Sequence, residues 1–225
     1  EPRRTSRSRR SKRPKPQPPE GWLARLYFHH RWLAFLGPLL VFMLVGTLEP
    51  TPESPGGEAI GLSIPYAYYP AVYTLKIALT GAALLLGLPV YRQFRTPPGL
   101  LAVLVGIVGV VVWVGLAKLQ LEHRLLDAIG LGFVLDSGVR SGFNPLEEMA
   151  AQPALAWGFL AVRFVGLAVV IAVAEELFLR GFLMRFVIAE NWWELPFGEL
   201  DVRAAVVGTV FPMLTHPGEL LAAAV

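Results

Sequence analysis

Polar residues fall in bunches along this chain, and the apolar runs between them are each about one membrane crossing long. Residues 32–48 form a first run, short and interrupted by Pro38. Residues 71–90 form a second, with Lys76 near one end, and residues 100–117 a third, rich in Val and Leu. A fourth covers residues 164–189, apolar apart from Glu175, Glu176, Arg180 and Arg185, and residues 154–162 lead into it past Trp157. A fifth, residues 204–215, stops at His216-Pro217. About 20 apolar residues at ~1.5 Å each are enough to cross a bilayer core as a helix. The pattern predicts an all-α fold, a polytopic transmembrane helical bundle.

The stretches between runs set a topology. Residues 49–70 carry Glu49, Glu53 and Glu58 with no basic residue, whereas residues 91–99 carry Arg92 and Arg95. In residues 118–153, the part over 119–129 has an amphipathic look that suits the membrane interface. The remainder, with Asp136, Arg140, Glu147 and Glu148, reads as an exposed loop. Basic loops mark the cytoplasmic side, and the N-terminal residues and the Arg92/Arg95 loop are two crossings apart. The fourth span then runs inward from Arg163 to Arg185. These two arginines are expected near the interfaces, and Lys76 is expected to snorkel to the headgroups.

Composition agrees with this pattern. The chain is 54% hydrophobic and 16% charged with a mean hydropathy of +0.52, too apolar for a soluble domain of this length. It has no cysteine, which excludes thiol catalysis, thiolate metal sites and disulfides. Ten of its 20 Lys and Arg lie in the first 31 residues, so the net charge of +3 hides a strong polarity. Residues 1–31 are expected to be a disordered, basic, Pro/Arg-rich cytoplasmic tail touching anionic headgroups. No aromatic residue interleaves its basic run before Trp22, which argues against nucleic acid as a partner. Residues 32–225 are expected to be one multi-pass membrane domain in a bacterial or archaeal plasma membrane. The start at Glu1 and the stop inside the apolar run 220–225 suggest a fragment.

The chemistry concentrates in the fourth run. If Arg163 and Arg185 mark the interfaces, Glu175 and Glu176 lie near mid-membrane, about 15 Å from the Arg185 end. Ionisable groups there cost several kcal/mol and are functional by default. Glu176 and Arg180 are four apart on one helical face, with the acid N-terminal, and can pair. Glu175 lies about 100° round the helix, has no partner in its own helix and suits a general base. Counting from Arg203, His216 is roughly 20 Å deep, so an antiparallel neighbour could bring it level with the acids. Glu175 would take a proton from water, and His216 would support an oxyanion. A zinc ion held by Glu175, Glu176 and His216 is an open alternative. Two other readings compete: a non-catalytic scaffold or immunity-type protein with a structural Glu176–Arg180 pair, and a proton-coupled transporter subunit.

The segment Ala174-Glu175-Glu176-Leu177-Phe178-Leu179-Arg180-Gly181 resembles the Glu-Glu-x-x-x-Arg signature of the CPBP intramembrane proteases, which include type II CAAX prenyl endopeptidases and bacterial Abi proteins. That family's second motif is Phe-x-x-x-His. Here His216 matches its histidine, while Pro212 stands at the aromatic position and Phe211 is one residue further away. A third motif, ending in Asn or Asp, has no counterpart before Val225. The resemblance covers about residues 154–225, and its layout is also similar to the CAAX-protease-related proteins that accompany bacterial exosortase systems. It implies an intramembrane endopeptidase acting on a membrane-associated protein or peptide, with catalytic Glu175, Glu176, Arg180 and His216.

Overall fold

The structure, a computed structural model, describes residues 21–92, 99–119, 121–130, 142–216 and 223. Among these residues it is all helical, with one isolated bridge between Gly56 and Ile64 as its only extended pairing. Helices α1 (Trp22–His29), α2 (Trp32–Gly46), α3 (Tyr69–Tyr91), α4 (Leu100–Leu119) and α5 (Leu121–Ala128) come first. A short α6 (Pro145–Glu148), a long α7 (Pro153–Ile188) and α8 (Val202–Thr215) follow. Three helical stretches, Tyr66–Tyr91, Leu100–Leu119 and Pro153–Ile188, are long and apolar enough to cross a membrane. The pair α1 and α2 adds a fourth if its 98° bend is a broken span. This is a helical membrane bundle.

The expected tail over residues 1–31 overlaps α1. Residues 1–20 lie outside the described residues, but Trp22–His29 is helical, so the boundary belongs earlier than 31. Its apolar positions, including Leu23, Leu26 and Tyr27, alternate with Arg25 and His29 at helical spacing. The amphipathic stretch expected over 119–129 contains helix α5. Asp136 and Arg140 fall outside the described residues.

Helices α2 and α3 pack antiparallel. At one end the Tyr91 hydroxyl donates to the Ala34 carbonyl. Near the other, Lys76 Nζ meets Glu49 Oε1 at 2.7 Å. This corrects the snorkelling expected of Lys76. The residue is only 5% exposed, its ammonium sits 4.2 Å from the Phe42 ring centroid and 4.8 Å from that of Tyr73, and the loop acid completes the site. A cation with a carboxylate and two ring faces within reach has no need of the headgroups.

Helix α7 leans on both. A Cβ added at Gly166 would lie 2.8 Å from Ile77 Cδ1, and one at Gly181 would lie 2.6 Å from Phe35 Cδ1. The missing side chains therefore allow α3 and α2 to approach α7 at two separate levels. An apolar core of Leu39, Ile171, Ala174 and Phe178 fills the space between these contacts. A second cluster, Tyr73, Ile77, Phe143 and Phe159, closes one end of the bundle. Phe143 stacks on Tyr69 with centroids 5.0 Å apart, and its carbonyl accepts from Arg163 Nη1 at 2.7 Å. The stretch expected to be an exposed loop thus supplies a buried aromatic.

Candidate functional site

Helix α7 is not uniform. Two π-helical stretches, Gly166–Ile171 and Leu177–Leu183, flank a short α-helical turn, Ala172–Glu176, that carries both acids. Wide turns of this kind are uncommon and are frequent at functional sites. Both contain one of the close-approach glycines, Gly166 or Gly181. Outside them stand two anchored arginines. Arg163 is tied to Phe143, as above. Arg185 is 2% exposed and donates from Nε and Nη2 to the Gly181 carbonyl and from Nη1 to the Leu195 carbonyl. Its guanidinium lies 5.1 to 5.8 Å from the ring centroids of Trp192, Phe35 and Phe197. Arg185 is therefore a buried post for the loop after α7, close to the helix end at Ile188. Trp192, from the segment between α7 and α8, is buried beside it.

Helix α8 runs antiparallel to α7. Phe178 faces Phe211 with ring centroids 5.1 Å apart, and Gly208 lies against Met184 further along. Three residues before Phe178 stands Glu175, and five after Phe211 stands His216. The two lie within electrostatic range of each other. Counted from the helix ends at Ile188 and Val202, each is roughly 20 Å in. Both are partly buried.

The histidine is oriented by its own helix end. Its Nδ1 lies 3.0 Å from the Pro212 carbonyl oxygen and 3.1 Å from Thr215 Oγ1. Donation from Nδ1 to the carbonyl fixes the ring and leaves Nε2 for another partner. The indole of Trp113, on α4, meets the imidazole edge-on at 5.8 Å. This tryptophan was not singled out by its pattern, since it sits in an apolar run where an aromatic needs no explanation.

Glu176 takes a different course from Glu175. Its Oε1 accepts from Arg180 Nη1 at 2.8 Å, and both side chains remain open, 43% and 59% exposed. The structure thus pairs Glu176 with Arg180 and brings Glu175 towards His216. Among the described residues, no group of three His, Asp or Glu is arranged to hold a metal ion. The set Glu175, Glu176 and His216 does not fit zinc in this arrangement, because Glu176 is turned to Arg180.

No family model, curated protein or solved structure matches this chain.

Proposed function

We propose that the chain is an intramembrane endopeptidase that hydrolyses a peptide bond of a membrane-associated protein with water activated by Glu175. The carrying observation is the ring contact of Phe178 with Phe211, which sets Glu175 and His216, residues 41 apart in sequence, at a similar depth on antiparallel helices. The resemblance of residues 174–181 to the CPBP signature supports the same reading. In the reaction, the Glu175 carboxylate removes a proton from water as the oxygen adds to the carbonyl carbon. The imidazolium form of His216, donating from Nε2, stabilises the oxyanion. Collapse of the tetrahedral intermediate breaks the C–N bond, and Glu175 returns the proton to the leaving amine. The Glu176–Arg180 pair fixes the neighbouring acid so that Glu175 alone is available as base.

By the positive-inside rule, the N-terminus and the end of α7 at Ile188 lie in the cytoplasm of a bacterial or archaeal cell. The basic N-terminal residues meet anionic headgroups there. The test is cleavage of membrane-anchored peptides by the purified chain in liposomes. Glu175→Gln is expected to abolish cleavage without loss of folded protein, and full activity in that variant rejects the reading. A second reading, a non-catalytic scaffold, is favoured by the 2.8 Å Glu176–Arg180 contact. It expects Glu176→Gln to lower the unfolding temperature while Glu175→Gln is silent.

A further inference from the structure

A cavity of about 810 Å³ lies between α1, the start of α2, the end of α3 and residues 192–197. It is within the roughly 300–1,000 Å³ range of built ligand cavities. Its walls are mostly apolar and aromatic, with Ala24, Tyr27 and Phe28 from α1 on one side and Trp192 and Trp193 on the other. Two cations reach it and, among the described lining residues, no acid does. The charge of Arg185 is taken up by the carbonyls of Gly181 and Leu195. Arg31 has rings for neighbours: its guanidinium lies 5.8 Å from the Phe28 centroid and 5.3 Å from that of Trp193. No acid pairs with it among the described residues.

The position of this cavity selects its occupant. Helix α1 turns 98° from α2 at an elbow next to Arg31. With α2 upright in the bilayer, α1 lies along the headgroup plane, its apolar side towards the acyl chains. The cavity is then under an interfacial helix, with the guanidinium at headgroup level and the aromatic walls below it. A free anion would leave the apolar volume unused. A zwitterionic lipid carries the same phosphate, but its cationic group would lie beside the guanidinium with no acid among the described lining residues to receive it.

We propose that this cavity is a binding site for one anionic phospholipid, with an acyl chain between α1 and the Trp192–Trp193 wall and the phosphate on Arg31. The proposal goes beyond the protease reading and stands without it, because lipid retention is measured equally well on the Glu175→Gln protein.

The test is native mass spectrometry of the full chain released from vesicles of equal parts phosphatidylglycerol and phosphatidylcholine. A single retained phosphatidylglycerol is expected in preference to phosphatidylcholine by about fivefold, as for one basic side chain at a charged surface. Arg31→Gln removes the preference and Arg31→Lys keeps it. Arg25→Gln, on the exposed side of α1, leaves it unchanged. Ala24→Trp fills the cavity and lowers retention of both lipids, with a thermal melt confirming that the variant is folded. The proposal is overturned if the preference survives Arg31→Gln, or if Arg25→Gln removes it equally, since surface charge alone then explains it. Unchanged retention in folded Ala24→Trp, or displacement of the lipid by inorganic phosphate, overturns it as well.

Discussion

Two sets of charges sit in or beside the helices of this chain, and they are kept in opposite ways. Lys76 and Glu49 are closed off, with side chains 6% and 16% exposed and two aromatic rings over the ammonium. Glu176 and Arg180 form a contact of nearly the same length, yet are 43% and 59% exposed, with the partly buried Glu175 and His216 beside them. A sealed pair can hold helices together but offers nothing to a substrate. An open set contributes less to stability and leaves a carboxylate and an imidazole nitrogen for chemistry.

The strongest test of that contrast is Lys76→Met. It strands Glu49 in a closed site, and unfolding in detergent is expected to show a loss of about 3–5 kcal/mol. The double variant Lys76→Met/Glu49→Gln should recover much of it. A single variant within measurement error of the parent would show that the pair is not sealed in the membrane. Next comes Glu175→Gln, expected to slow peptide cleavage by about 100-fold or more while the unfolding midpoint stays put. If stability falls instead, the acid belongs with Lys76 and Glu49 as a structural group. Gly181→Ala sharpens the picture from the packing side. Its methyl group would press on the Phe35 ring, at a cost of about 1–3 kcal/mol by chemical denaturation. The smallest change is expected from Glu176→Gln, well below that of Lys76→Met, because the pair is far less enclosed than Lys76 and Glu49. A loss comparable with that of Lys76→Met would favour the scaffold over the protease.

The spans were legible because a bilayer leaves so few choices: an apolar run of the right length can be satisfied only as a helix. The candidate site was legible for a related reason, since Glu175, Glu176, Arg180 and His216 stand out against apolar neighbours. The errors have one cause. Lys76 was assigned to the headgroups, and the anchoring role of Arg185 was missed, because local pattern shows a charge in an apolar run but not its distant partner. Glu49 is 27 positions from Lys76, and Leu195 meets Arg185 only after the chain turns back. Phe143 and Trp192 were hidden likewise, being apolar residues in polar stretches whose burial depends on what packs there. The wide turns of α7 left no local mark either. They occur where α3 and α2 press on glycines, and a lone glycine in a helix does not announce its neighbour.

Those wide turns act as phase shifters along a single rod. Arg163 clamps one end to Phe143 and Arg185 clamps the other to Leu195, so the azimuth of the acids between them depends on how much the helix underwinds on either side. Deleting one residue from Leu177–Leu183 would force a choice: the wide turns tighten to ordinary winding, or everything beyond them turns by roughly 100°. In the second case the carboxylates keep their aim or the guanidinium its aromatic box, but not both.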